Sequence, residues 1–137
     1  MSALLDTGVL YALVDRGDKW HDASVRCLSD YRDDVLIPAP VITESCFLID
    51  RAGGAPAISR FLQLLVSSTW QVCALLEQDY TQASSVLDQY ADSRIDFVDA
   101  AIIAIAERLR IRTIFTLDRR DFGMYRPTHC DYFELLP

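Results

Sequence analysis

The chain has 137 residues, a length that suits one domain with a sizeable core. With 51% hydrophobic residues, 24% charged residues and a mean hydropathy of +0.14, it reads as globular, which excludes a disordered tract or a fibrous repeat. A net charge of −7 and a pI near 4.6 argue against nonspecific coating of DNA, yet leave room for a nucleic-acid enzyme whose acidic site is offset by bound cations.

Residues 3–6 read as a first strand, followed by helices over 7–15 and 20–33, the second opening near Asp18 and Asp22. Val35-Leu36-Ile37 is a second strand; Pro38 and Pro40 end it and start a helix that runs through Ile49. Gly53-Gly54 breaks that helix, and residues 56–67 are helical again. Trp70–Leu75 forms a third strand, a polar helix runs roughly from Gln78 to Tyr90, and a strongly apolar helix spans about Phe97 to Arg110. Thr113–Leu117 and Tyr132–Leu135 finish as strands. Strands alternating with helices imply βαβ units, an α/β fold with a parallel sheet covered on both faces, and a ligand site outside the carboxyl ends of the strands.

Apolar runs such as Phe97–Ala106 are too short, and too interrupted by acids, to cross a bilayer. The N-terminus carries Asp6 in its apolar stretch and lacks a basic region, so no secretory signal is expected. Cys27, Cys46, Cys73 and Cys130 show no CxxC spacing, which points to reduced thiols in the cytoplasm and away from zinc or disulfides. Lys19 is the sole lysine among 13 basic residues. Arginine suits bidentate phosphate contacts, and a GC-rich genome also favours its codons; both readings stay open.

The informative residues are acids set against core segments. Asp6 ends Ala3-Leu4-Leu5, Glu44 follows Ile37–Thr43, Asp99 interrupts Phe97–Ile103, and Asp118 ends Thr113–Leu117. Acids are rarely buried without a partner or a metal, and the βαβ pattern brings all four to one edge of the sheet. Two carboxylates at 4 Å repel by about 4 kcal/mol at an effective dielectric near 20. Mg²⁺ or Mn²⁺ removes that penalty with oxygen ligands alone, and can activate water against a phosphodiester. Such chemistry needs no histidine, and the chain has only His21 and His129.

Each acid also has a structural reading. Asp6 can cap the helix that begins at Thr7. Asp96 and Asp99 resemble a capping pair; the cap reading suits Asp96 better, because the helix around Asp99 is apolar on almost every side and looks buried all round. Glu44 can be a solvated helix residue, and Asp118 with Arg119-Arg120-Asp121 a surface turn. Thr7 and Thr116 stand beside two of the acids, able to orient a carboxylate or a water, or simply to cap. Arg94, Arg119, Arg120 and Arg126 flank the region as candidate RNA-phosphate contacts, with a solvated turn as the default.

These segments together resemble the PIN-domain ribonucleases, most closely the VapC-type toxins of toxin–antitoxin pairs. The matching stretches are LLDTGVLYAL, VITESCFLID, YADSRIDFVDAAIIAIAERLRI and TIFTLDRRDF, in order over essentially residues 1–137. The resemblance implies a five-stranded parallel sheet flanked by helices, and a catalytic, metal-binding set of Asp6, Glu44, Asp99 and Asp118. Asp96 and Asp121 match positions acidic in some members only; Asp92 lies in the same acid-rich stretch without a place in the pattern. It further implies Mg²⁺-dependent RNA cleavage with Mn²⁺ substituting, a homodimer, and a small DNA-binding antitoxin whose tail covers the site.

Other readings fit less well. Asp6-Thr7-Gly8 is the aspartic-protease signature, but that fold is all-β. A haloacid-dehalogenase phosphatase needs an acid where Gly8 stands. A receiver domain needs a late lysine, and the chain has only Lys19. The alternative of a different class is a catalytically silent PIN-like module that binds RNA or protein; it gives no reason to tolerate four mutually repelling acids.

Overall fold

The computed structural model describes all residues, 1–137. Its elements are β1 (Ala3–Leu5), α1 (Thr7–Val14), α2 (His21–Asp30), β2 (Val35–Pro38), α3 (Ala39–Ser67), β3 (Gln71–Cys73), α4 (Glu77–Gln89), α5 (Phe97–Leu109), β4 (Thr113–Phe115), α6 (Arg119–Met124) and β5 (Glu134–Leu136). All strand pairs are parallel, in the order β3-β2-β1-β4-β5, so the fold is the α/β sheet flanked by helices that the sequence implies. No helix is long and apolar enough to cross a membrane.

The hydrophobic effect explains the centre of this arrangement. Ala3, Leu4 and Leu5 of β1 and Ile114 and Phe115 of β4 are fully buried, as continuous apolar runs in a covered parallel sheet must be. The stretch Ala100–Ala106 of α5 is buried on every side, which matches its lack of a polar face. Helix α1 packs on α2 and α3, and α4 packs on α5.

The helix break and one difference from the sequence expectation have local causes. The break expected at Gly53-Gly54 is present within α3: Gly54 takes φ 66° and ψ −167°, a positive-φ conformation open to glycine, and helical backbone resumes beyond it. Residues 119–124, read as a surface turn, instead form helix α6, capped when the Asp121 N–H donates to Asp118 Oδ1 at 3.0 Å. Strands are also shorter than expected, since β3 and β4 keep only three ladder residues each.

Helices α4 and α5 are clamped by a charge pair that sequence patterns did not reveal. Arg108 Nε donates to both oxygens of Asp79, at 2.8 and 3.1 Å, and the Leu76 N–H donates to Asp79 Oδ2 at 2.8 Å. Asp79 is only 1% exposed. Removing the arginine leaves that charge buried alone, so Arg108→Met is expected to cost about 3 kcal/mol. Urea unfolding measures it; a loss no larger than that of a surface change such as Arg26→Met counts against the clamp.

Candidate metal centre

The strand order reverses between β1 and β4, and in open α/β sheets that switch point is where ligands bind, beyond the carboxyl ends of the strands. The β1–β4 register pairs Leu5 with Phe115, and the Asp6 N–H donates to the Phe115 carbonyl at 2.9 Å. Asp6 and Thr116 therefore leave neighbouring strands side by side. Thr116 Oγ1 donates to Asp6 Oδ2 at 2.7 Å and accepts from the Asp118 N–H at 3.0 Å. One hydroxyl thus ties the first acid to the backbone of the last.

Asp6 is also the N-cap of α1, accepting from the Thr7 N–H at 2.7 Å, so its cap reading holds. It is 8% exposed, and burial pushes its carboxyl up to about 6. The hydrogen bonds from Thr116 and Thr7 oppose that rise, while the charges of Glu44 and Asp118 add to it. Glu44, on the first half of α3, is partly buried. The Thr7 hydroxyl is buried with no hydrogen-bond partner.

Asp99 occupies the third position of α5 and forms a reciprocal capping box with Asp96. The Asp99 N–H donates to Asp96 Oδ1 at 2.9 Å, and the Asp96 N–H donates to Asp99 Oδ2 at 3.1 Å. The cap reading, set against Asp99 from sequence, therefore applies to both members of the pair. Burial, foremost, and the charges of Asp96 and Asp6 raise the Asp99 carboxyl to about 8 against the Asp96 N–H bond.

Asp99, Asp118 and Asp121 each place a carboxylate oxygen within 4.8 Å of the others. Asp121 is 5% exposed and belongs to this tight group, although the resemblance put it outside the main four. Asp6 and Glu44 adjoin the group electrostatically rather than through that short spacing. Asp96 is exposed and engaged as a cap, and Asp92 is exposed, lining a small hollow beside Asp121. Arg119 donates to the Pro137 carbonyl and Arg126 to the Gly123 carbonyl, whereas Arg94 and Arg120 are exposed and make no such bond. The signal for Asp121 was present in the sequence: Asp118-x-x-Asp121 repeats the spacing of Asp96-x-x-Asp99.

The donor set is carboxylate oxygen only, without histidine or thiolate, and fits a hard divalent cation rather than zinc. An α/β sheet with this acidic triad at its switch point is consistent with a metal-dependent nuclease site.

Comparison with known proteins agrees. The PIN domain matches residues 3–126, and the chain belongs to the PIN-domain family. It is related to the VapC toxins within that family. Ribonuclease VapC26 of Mycobacterium tuberculosis is 31% identical over 134 residues, covering 98% of this chain and 99% of that one. The crystal structure of M. tuberculosis VapC20, a sarcin-ricin loop cleaving toxin, superposes with a TM-score of 0.83 at 22% identity, over 94% of this chain and 98% of that one. A toxin–antitoxin complex from Klebsiella pneumoniae gives 0.71 at 19% identity, over 89% and 91%.

An acid with a raised folded pKa keeps its proton in the folded protein after the unfolded chain has lost it. Deprotonation then costs stability as pH rises from about 4, through 6 for Asp6 and on to 8 for Asp99. The melting temperature of metal-free protein is therefore expected to fall between about pH 5 and pH 8. In Asp99→Asn the fall should flatten above pH 6. A wild-type curve that stays level over this range, or an identical slope in the variant, contradicts the assignment.

Proposed function

We propose that this chain is a divalent-cation-dependent endoribonuclease that hydrolyses RNA phosphodiester bonds, and that it is the toxin of a toxin–antitoxin pair. The observation that carries the reading is the gathering of Asp99, Asp118 and Asp121, with Asp6 and Glu44 adjoining, at the switch point of a PIN fold. The relative named a ribonuclease, aligned over nearly all of both chains, supports it. Residues 1–137 are read as one nuclease domain.

Asp6, Glu44, Asp99 and Asp118 hold the cation on this reading, with Asp121 added by its position and Asp96 retained for the cap. Mg²⁺ is the expected ion, with Mn²⁺ able to replace it. When bound, the cation offsets charge on the phosphodiester and lowers the pKa of an attacking water. The protein's own part is orientation. Thr116 and the Thr7 N–H hold both oxygens of Asp6. The buried Thr7 hydroxyl has no hydrogen-bond partner within the protein. Arg94, Arg119 and Arg120 are the candidates for backbone phosphates; Arg94 and Arg120 make no bond within the protein, while one Arg119 N–H donates to the Pro137 carbonyl.

Solved relatives include a toxin–antitoxin complex and a VapBC2 complex from Rickettsia felis with promoter DNA, which supports an antitoxin partner for this chain. A homodimer and a cytoplasmic location complete the reading. The silent-module alternative must explain why a site without chemistry keeps such electrostatic strain.

Purified protein freed of antitoxin should cut single-stranded or loop RNA internally with Mn²⁺ or Mg²⁺ and stop with EDTA, since unpaired RNA is the accessible form. Mn²⁺ at 100 times Kd should add about 2.7 kcal/mol of stability. Asp99→Asn keeps an oxygen to accept from the Asp96 N–H, so it should fold normally while cleavage drops about a hundredfold. Asp96→Asn should lose much less. RNA left intact across several metals, with no melting shift, favours the silent module.

A further inference from the structure

Beside the acidic cluster, on the α3–α4–α5 side, lies an open groove of about 740 Å³, in the size range of small-ligand sites. Pro40, Thr43, Glu44, Phe47, Tyr80 and Phe97 line it. Three of these are large aromatics exposed in the single chain: Phe47 is 64% exposed, Tyr80 55% and Phe97 45%. The rings of Tyr80 and Phe97 are nearly parallel, 14° apart, with centroids at 6.4 Å. The Arg51 guanidinium sits 5.9 Å over the Phe47 ring at the rim.

The groove is continuous with the candidate metal centre. Glu44 lines it and also acts electrostatically on Asp6, and Phe97 is two residues from Asp99 on the same helix. Glu44 is its only charged lining residue, so a phosphate is repelled there while a flat, neutral ring is not. On another side of the cluster, a smaller hollow is lined by Asp92, Ser93, Arg120 and Asp121, and its one arginine is a cation that the groove lining lacks.

Resting on the ribonuclease reading above, we propose that the Phe47–Tyr80–Phe97 groove is a base-stacking subsite, seating one unpaired nucleobase next to the scissile phosphate of a single-stranded RNA. Aromatic faces stack any base, and such contacts select unpaired segments over duplex, whose bases are already stacked. Tyr80 and Phe97 are then specificity-determining residues. The backbone leaves the groove across the acids, with Arg120 placed to meet a phosphate beyond them.

The test uses full-length protein with Mn²⁺ and a short unstructured RNA cut at one position, beside the same RNA made abasic at each flanking nucleotide in turn. Tyr80→Leu and Phe97→Leu keep apolar bulk and remove the aromatic face. Each should raise KM about tenfold with kcat within about twofold, and leave the Mn²⁺ melting shift intact. One abasic position should cost the wild type a similar factor and cost the Leu variants nothing further. Unchanged KM in both variants, or abasic losses that simply add to theirs, overturns the subsite while leaving the nuclease reading standing. Loss of a dimer by sedimentation in the variants, at unchanged KM, assigns the groove to a second copy and also overturns it. Absence of cleavage of any RNA by wild type defeats the nuclease reading and this one with it.

Discussion

A buried carboxylate keeps its charge only when something compensates it, and this chain handles that constraint in two opposite ways. Asp79 is buried with Arg108 on both its oxygens and a backbone N–H besides, so its charge is matched inside the protein. Asp6 is nearly as buried but has two neutral donors, Thr116 and the Thr7 N–H, and further acids for neighbours. Burial, foremost, and the acidic neighbours raise its pKa against those two donors. The first arrangement is a structural clamp between helices. The second is a deficit of positive charge that the fold does not fill, and a divalent cation is the simplest group that would fill it.

Helix α5 shows how the fold sustains that deficit. Its middle, Ala100–Ala106, is sunk in the core, where apolar burial at roughly 25 cal/mol per Å² holds the element rigidly. The first turn then emerges at the switch point with the Asp96–Asp99 box on it. The capping bonds and the partial positive charge of a helix N-terminus both favour acids in that turn. The same feature that makes Asp99 a good cap therefore makes it a tolerable member of a crowded acidic site. A cap does not preclude a place in an acidic site, and Asp6 and Asp118 are likewise each the N-cap of their own helix.

This overlap explains what was legible in the sequence. The parallel sheet could be anticipated, though not its strand order, because β1 and β4 are continuous apolar runs and the helices between them carry clear breaks at Pro38, Pro40 and Gly53-Gly54. The four acids stood out because each interrupts or ends an apolar segment. Helix α6 was missed because six residues are too short to display a hydrophobic period, and only the Asp118-x-x-Asp121 spacing announced it. Asp121 was undervalued for the same reason, since its nearness to Asp99 arises from that one turn of helix. The Arg108–Asp79 pair, 29 positions apart, has no local pattern at all. The aromatic groove gathers Phe47, Tyr80 and Phe97 from three helices, and each alone reads as core.

Charge sets one further condition on the ribonuclease reading. With a net charge of −7, the molecule offers RNA no broad attractive field, and the long-range term that dominates binding in basic nucleic-acid proteins is absent or reversed. Affinity must then come from short-range sources. The cation is one, because it turns the most acidic point of the surface into the place where a phosphate is welcome. Arginines without protein partners, such as Arg94 and Arg120, are another. Neither distinguishes a loop from a duplex, since both present phosphates. Discrimination therefore has to lie in contacts that only an unstacked base can make, and beside the acids the surface that answers to that description is the aromatic one between α3, α4 and α5.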